Sequence, residues 1–227
     1  MASDFLVAHQ NTMGEEGGFA NHPDDGGGPT YKGCAKKFWG KLPLWKMIDY
    51  HLAQLPPQPK YSWRPGSYYR NWVDQVNAVL RADADLQAKI LSFYREVFWN
   101  ANRLGEINDQ RVANWLYDHA VNGAGRGIGW MQTAAGCTAD GDIGPKTIAA
   151  INAADPVQLL VRAEDEAALY RLKRAHEKPS QIQFLPSWLK RDGLSPAEIR
   201  KVMFAAADGE LSLQELKDLT EMIVATV

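Results

Sequence analysis

Apolar residues recur at a spacing close to 3.6 residues along almost the whole chain, and this periodicity constrains the fold more than any other feature. Such a spacing places apolar side chains on one face of an α-helix, whereas a half-buried strand alternates at every second residue. No convincing alternating segment interrupts the pattern. The sequence therefore predicts a mostly α fold in which each helix buries one face.

Local signals predict where several helices begin and end. Ser3 or Asp4 can cap a first helix, and Ser67 can cap a later one. Asp155 can cap a long helix that reaches about Glu177. The other apolar stripes predict helices over about 43–55, 86–98, 112–119 and 130–132, and one from Pro145 to about Ala154.

The chain is 227 residues long, which is enough for one well-buried domain with a small addition. We expect a helical domain over residues 1–190 and a helical C-terminal appendage over 191–227. Two capping boxes, Ser195–Glu198 and Ser212–Glu215, predict short helices in the appendage. A Pro-rich segment over residues 56–66, here called the connector, separates two of the predicted helices.

Composition narrows the classes of partner. The net charge of −2 gives no overall attraction to nucleic acid, so none is expected. No run approaches the roughly 20 apolar residues of a membrane span, so membrane insertion is not expected. The N-terminus lacks the basic and apolar regions of a secretory signal. We therefore expect a chain made in the cytoplasm that meets any external substrate only after release.

The cysteines and histidines predict neither a disulfide scaffold nor a metal site. Cys34 and Cys137 are too few for such a scaffold, and two buried free thiols are favoured over a pair, which stays open. The five histidines include neither a close pair nor an HExxH motif that could hold zinc. No cofactor is expected.

The segment from Glu16 to Gly33 contains the side chains best suited to catalysis. Glu16 continues the apolar stripe of the first helix, and desolvation there raises the pKa of a carboxyl and keeps it protonated. Asp25, in the polar loop that follows, would stay ionised, and Thr30 could hold a water molecule. Cleavage of a glycosidic bond needs such a proton donor and a second, ionised group.

The pattern EGGF…P-x-D-x-GG-x-T-x-x-G over residues 16–33 resembles the opening of glycoside hydrolase family 108, the N-acetylmuramidases that include phage endolysins. The resemblance implies a lysozyme-like fold for the helical domain over residues 1–190. It also implies hydrolysis of the β-1,4 bond between N-acetylmuramic acid and N-acetylglucosamine. It implies that Glu16 donates the proton, Asp25 stabilises the cation or orients water, and Thr30 assists the water. Phe19 replaces the family's usual Tyr and is predicted to contact the substrate.

A second stretch, within about 108–172, resembles the peptidoglycan-binding region that follows in this family. The matching positions are Asp118, Asn122, Gly123, Gln132, Asp140, Gly141 and Thr147. The resemblance implies peptidoglycan as the partner of a chain that we expect to be monomeric. It makes Asn122, Trp130 and Gln132 candidates for the far wall of the cleft, although core packing is an equal interpretation for Trp130.

Two other functions stay open at this point. One is a cysteine amidase, with Cys34 as nucleophile and one of His22, His51 or His119 as base. The other is a peptidoglycan-binding lysis protein without catalysis. An endolysin released through a holin fits the expected absence of an export signal.

Overall fold

The computed structural model describes residues 2–13, 18–23, 27–62, 64–122, 125–195 and 199. Helices dominate these residues, which confirms the predicted mostly α fold. The chain forms two compact units: residues 9–101, here called the sheet unit, and residues 1–8 with 102–227, here called the helical unit. Within the described part of the chain, no helix combines the length and the apolar character needed to cross a membrane.

The first helix, α1 (Phe5–Met13), begins in the helical unit and ends in the sheet unit. The rest of the sheet unit comprises β1 (Phe19–Ala20), β2 (Thr30–Tyr31), β3 (Cys34–Ala35), α2 (Lys36–Trp39), α3 (Pro43–Ala53), α4 (Tyr68–Ala82) and α5 (Ala84–Tyr94), and a π-helical turn over Arg95–Asn100.

The predicted caps form where the side chains can reach free N–H groups. The Asp4 carboxylate accepts the Leu6 N–H at 2.6 Å, so Asp4 rather than Ser3 caps α1. The Ser67 hydroxyl accepts the Arg70 N–H at 3.2 Å and caps α4 as predicted. These bonds satisfy donors that lack a partner in the first turn of a helix.

A small antiparallel sheet, in the order β1–β2–β3, was not predicted. Each strand has two residues, which is too short to show an alternating pattern in the sequence. The pairing places Phe19 opposite Tyr31 and Tyr31 opposite Cys34. All three of these side chains are buried, so the sheet covers the core of its unit with one face.

The helical unit contains a 3-10 turn (Leu104–Glu106), α6 (Gln110–Asn122), α7 (Arg126–Ala134), α8 (Pro145–Ala153) and α9 (Pro156–Glu177), then a 3-10 segment (Pro179–Phe184) and α10 (Leu185–Arg191). The Asp155 side chain caps α9 by accepting the Gln158 N–H at 2.9 Å, as predicted, and α9 ends at the predicted residue.

A buried ionic cluster joins α6, α9 and the end of α10. The Asp192 carboxylate lies 3.1 Å from Nε2 of His119 and accepts Nε–H of Arg171 at 3.3 Å. The second His119 ring nitrogen lies 2.9 Å from the Trp115 carbonyl oxygen. Because buried charges need such partners, the cluster fixes the chain at residue 192 against α6 and α9.

The structure shows a further helix, α10, that was not predicted from the sequence. It begins at Leu185 and packs, with Ile199, against α9. Of the two capping boxes, residues 196–198 and 212–215 lie outside the described residues. The helices that these boxes predict, and the boundary of the appendage at residue 191, stay predictions. The apolar cluster comprises Ala168, Leu172, Ala175, Leu185, Leu189 and Ile199.

Candidate active site

The two predicted catalytic carboxylates, Glu16 and Asp25, lie outside the described residues, but the chain close to each is described. Consecutive Cα atoms are 3.8 Å apart, so connectivity alone keeps Glu16 within about 8 Å of Gly18, measured between Cα atoms. The same bound applies to Asp25 relative to Pro23 and to Gly27. The structure describes the residues that hold the chain on either side of these two carboxylates.

Thr30, the third predicted catalytic residue, lies on the central strand of the sheet. Its backbone pairs with Ala20 on one side and Ala35 on the other. These three side chains share the face opposite the buried one, since successive side chains of a strand alternate. The Thr30 hydroxyl donates to the Gly28 carbonyl at 3.2 Å and is half-buried. Its oxygen can still accept a hydrogen bond from water.

Asn77 of α4 holds the start of β1, three residues after Glu16. Its side-chain oxygen accepts the Phe19 N–H at 2.7 Å, and Asn77 is 8% exposed. A Cβ atom on Gly18 would lie 2.7 Å from the Asn77 amide nitrogen, so only glycine permits this approach. The second glycine of the EGG motif is therefore explained by packing against Asn77.

Tyr69 of α4 holds the next turn of the chain. Its hydroxyl donates to the Asn21 carbonyl at 2.9 Å and accepts the Asn21 N–H at 3.3 Å. Burial raises the pKa of Tyr69, so the hydroxyl keeps the proton that it donates. Asn77 and Tyr69 lie on one face of α4, and together they fix residues 18–21.

The connector lies against the same loop. The Asn21 amide donates to Oε1 of Gln58 at 2.8 Å, and the rings of His22 and Tyr61 lie 4.3 Å apart. The connector is fixed to α4 as well, because Nε1 of Trp72 donates to the Pro56 carbonyl at 2.8 Å. The Pro-rich segment is thus a structural neighbour of the loop between Glu16 and Asp25.

A tight hairpin turn joins β2 to β3. Lys32 and Gly33 both have positive φ angles, 45° and 77°. Such angles are typical of the two-residue turn whose twist suits a hairpin. A Cβ atom on Gly33 would lie 2.7 Å from the Tyr94 hydroxyl, which itself donates to the Lys32 carbonyl. Gln87 completes the anchor by accepting from Nζ of Lys32 at 2.7 Å.

The chain after Asp25 is held by the first turn of α2. The Lys36 N–H donates to the Pro29 carbonyl at 2.8 Å, and the Lys37 N–H donates to the Gly27 carbonyl at 3.2 Å. These N–H groups would otherwise lack partners at a helix start. Described residues on both sides of Asp25 are therefore bonded to regular elements.

Two basic groups near the sheet have lowered pKa values. Burial and, second, the charge of Arg81 lower the pKa of Lys32. Burial and, second, Lys32 lower the pKa of His9. His9 is consequently uncharged at neutral pH, and its ring lies 5.2 Å from that of Tyr94.

Phe19 and Trp130, two of the predicted substrate contacts, have buried rings. The Phe19 ring is 2% exposed and packs edge-on against Trp72, 5.7 Å between ring centroids. Trp130 is 8% exposed and lies under the guanidinium of Arg171. Both side chains serve packing in this structure, and their contact with substrate stays a prediction.

Gln132 and Asn122, the other predicted contacts, differ in exposure. Gln132 is fully buried, and its amide donates to the Asp140 carboxylate at 2.6 Å and accepts the Gly141 N–H at 2.9 Å. It therefore fixes the Asp-Gly turn. The Asp142 N–H and, second, Gln132 lower the pKa of Asp140. Asn122 is exposed and donates to Asp118. Their place in a cleft wall stays a prediction.

The cysteines are free, and the rival nucleophile is protonated. Cys34 is 1% exposed, and burial raises its pKa to about 11. Cys137 is half-buried rather than buried as predicted. Since the thiolate is the nucleophile, the surroundings of Cys34 do not activate it.

Sequence reasoning missed Asn77, Tyr69 and Gln58 as supports of the site. Asn77 had a signal, because it is a polar residue on the buried side of α4 next to Val76. A buried amide needs partners, so an Asn at such a position indicates a structural hydrogen bond. Gln58 gave no signal, since nothing in the sequence places the connector beside Asn21.

Comparison with known proteins agrees with the resemblance seen in the motifs. Residues 9–124, just over half of the chain, match the family model described as glycosyl hydrolase 108. Residues 126–193 match the model described as a predicted peptidoglycan domain. No curated protein shows a significant match.

Among solved structures, that of Brucella abortus SagA has a TM-score of 0.51 with this chain. It is 23% identical, and the alignment covers 88% of this chain and 94% of that one. At this sequence identity, the likeness shows a similar fold and no more. The family match covers the segment that contains Glu16, Asp25 and Thr30. The chain therefore belongs to the glycosyl hydrolase 108 family, and with its peptidoglycan domain it is a glycoside hydrolase that acts on peptidoglycan.

Proposed function

We propose that the chain is an N-acetylmuramidase that cleaves the β-1,4 bond between N-acetylmuramic acid and N-acetylglucosamine. Glu16 protonates the leaving oxygen, Asp25 stabilises the cation or orients water, and Thr30 assists the water. Departure of a sugar oxygen needs a proton donor and an ionised partner, and these residues supply both.

The observation that carries the proposal is the fixed geometry around the motif. Asn77 and Tyr69 hold residues 18–21, and α2 holds residues 27–29. Thr30 lies between them on the open face of the sheet. Catalytic groups must be held within a fraction of an ångström of their productive positions, and such supports are what that precision requires.

The cysteine amidase is not favoured. Amide cleavage by a thiol requires a thiolate with a base beside it. Cys34 is buried with a pKa of about 11, and its described surroundings place it on the core face of the sheet. A binding protein without catalysis does not explain why Glu16 and Asp25 both occupy the family's motif positions.

The products of digestion test the proposal directly. Purified peptidoglycan is digested, reduced with borohydride and analysed by mass spectrometry. Muramitol at the reduced ends is expected. Glucosaminitol would instead assign the enzyme as a glucosaminidase, and free stem peptides would overturn glycosidic cleavage.

Glu16→Gln is the matching variant. It removes the acidic proton with little change in shape, so activity should fall at least about a hundredfold while wall binding is retained. Near-normal turnover by the folded variant would contradict the role of Glu16. Glu15→Gln, one residue earlier, is the control and should keep its activity.

The route to the wall is also a proposal. We infer that the chain acts as a monomeric endolysin that reaches the periplasm through a holin. Expression in a bacterium with and without a co-expressed holin tests this, and lysis is expected only with the holin. Lysis in its absence would contradict the route.

A further inference from the structure

The connector carries a set of side chains that the proposed mechanism does not use. Gln58 and Tyr61 lie beside Asn21 and His22, in the loop between the two catalytic positions. His22 and Gln58 are exposed, while Asn21 and Tyr61 are half-buried. This group faces solvent at a point that chain connectivity keeps close to Asp25, three residues after His22.

The two amides are fixed to each other and keep free hydrogen-bonding groups. One Asn21 N–H donates to Oε1 of Gln58 at 2.8 Å. The Asn21 side-chain oxygen and the Gln58 NH₂ group have no partner among the described residues. An amide offers two donors and two acceptor lone pairs, so this pair presents an oriented acceptor and an oriented donor to a ligand.

An aromatic ring completes the group. The Tyr61 ring lies against the His22 ring and 4.8 Å from the ring of Tyr69. The Tyr69 hydroxyl donates to the Asn21 carbonyl, so Tyr61 lies close to the fixed loop. The Tyr61 hydroxyl has no partner within the described part of the chain. Tyr combines an apolar face with a polar tip, and such rings give contact area at low entropy cost.

Hydrogen bonds fix both ends of the connector segment that carries Gln58 and Tyr61. Trp72 donates to the Pro56 carbonyl at 2.8 Å, and Ser67 donates to the Ser62 carbonyl at 2.5 Å, so both ends of segment 56–62 are tied to α4 or to its cap. Proline restricts the backbone between these ties. A preformed surface of this kind loses little entropy when it binds.

We propose that Gln58, Tyr61 and Asn21 form a sugar subsite beside the loop that carries Asp25, in which Tyr61 packs against a sugar ring and the two amides bind its hydroxyl or N-acetyl groups. The proposal rests on the proposed muramidase function. The uncharged groups suit the uncharged polar groups of a glycan strand. The connector is then the part of the chain that determines how tightly the glycan is held beside Asp25.

The test uses glycan strands freed of stem peptides, so that any change refers to the sugars. Tyr61→Ala should raise KM about fivefold and Gln58→Ala about threefold, with kcat changed less than about twofold. Tyr61→Phe keeps the ring and should lie near the native value. The matched control is Tyr50→Ala, which removes another tyrosine, 65% exposed on α3, and should change nothing.

A second measurement separates this inference from the proposed function. Binding of the same strands by calorimetry is compared between Glu16→Gln and the double variant Glu16→Gln/Tyr61→Ala. Weaker binding by the double variant supports the subsite, whether or not the native chain proves to be a muramidase. Equal binding, or a loss confined to kcat, overturns the subsite. Native melting temperatures show that each variant is folded.

Discussion

Asn77 fixes the described chain that follows Glu16. It lies on α4, more than fifty residues away in sequence, and its amide accepts the N–H of Phe19 at 2.7 Å. The residue is buried, so no water replaces a lost bond there. The proposed catalytic motif is thus supported by a residue that lies outside it.

Asn77→Ala should lower both stability and turnover. The loss leaves a buried N–H without a partner, which costs about 1–3 kcal/mol. Because the released strand follows Glu16, kcat should fall more than KM rises. Thermal melting and kinetics on solubilised peptidoglycan measure both effects. Asn71→Ala, at an exposed position of the same helix, is the control, and equal losses in the two variants would contradict the role.

The three proposed catalytic residues should differ in how much activity is lost when each is replaced. Asp25→Asn should reduce activity less than Glu16→Gln, and Thr30→Ala less again, because solvent takes over part of a stabilising role. Thr30 already donates its proton to Gly28, so only its acceptor function is available to water. Rates on peptidoglycan order the three variants. A Thr30→Ala loss larger than that of Glu16→Gln would show that the roles are wrongly assigned.

The thiols give a prediction about reactivity. Burial raises the pKa of Cys34 to about 11, so at pH 8 almost all of it is protonated. Iodoacetamide should therefore label half-buried Cys137 in the native chain but not Cys34, and activity should survive. Peptide mass spectrometry locates the label, with Cys137→Ser as the control. Rapid labelling of Cys34 with loss of activity would revive the cysteine mechanism.

At the scale of elements, α9 carries a carboxyl whose ionisation works against folding. Burial, and second the charge of Asp165, raise the pKa of Glu164 to about 7. His119 and Asp192, from α6 and the end of α10, also face it, with opposite effects on this pKa. A hypothetical Cβ on Gly193 would meet the same carboxyl at 2.6 Å, so the group is closely packed.

The raised pKa of Glu164 makes the free energy of unfolding depend on pH. The folded carboxyl binds its proton more tightly than an ordinary one with pKa 4.5. The folded state therefore holds an extra proton between about pH 4.5 and 7, and the free energy of unfolding falls as pH rises through that range. Glu164→Gln should remove this loss, so it should raise the melting temperature by a few degrees at pH 8 but less at pH 5.

Differential scanning calorimetry at the two pH values measures the effect. Glu166→Gln makes the same change two residues along α9 and serves as the control. An equal gain at pH 5 and pH 8 for Glu164→Gln would show that the carboxyl titrates normally.

The elements also show which features a sequence can predict. Ser67, Pro145 and Asp155 act through neighbours within three or four residues, so their helices begin where predicted. The three strands depend on partners up to a dozen residues away and have only two residues each, so periodicity could not reveal them. Of the candidate site, the motif was visible in the sequence. Among its supports, Asn77 gave a signal as a polar residue on the buried side of α4, whereas the connector gave none.

At the scale of the whole molecule, the C-terminal region separates into a part that the fold needs and a part that catalysis should not need. Asp192 is fully buried between His119 and Arg171. A chain ending after residue 200 should keep both its melting temperature and its turnover. A chain ending after residue 184 loses Asp192 and the apolar contacts of α10, and should lose the folded helical unit.

The single substitution Asp192→Asn isolates the ionic part of this effect. It should destabilise the chain by about 3 kcal/mol, because buried Arg171 loses its counter-charge and His119 loses its carboxylate partner. Urea unfolding measures the change, and Asp118→Asn, which removes the half-exposed partner of Arg191, should cost much less. Similar costs for the two variants would contradict the importance of the buried cluster.

The helical unit is discontinuous in sequence, because residues 1–8 belong with residues 102–227. This affects the order in which parts of the chain can fold during synthesis. Ser3 and Asp4 bond to Leu104, Ile107 and Gln110, and Phe5 packs against Tyr117. Residues 3–5 therefore leave the exit tunnel more than a hundred residues before their partners, while residues 9–101 emerge as one uninterrupted stretch. Domains generally fold as units during synthesis. The segment that bears Glu16 can thus assemble before residues 3–5 meet their partners and become ordered.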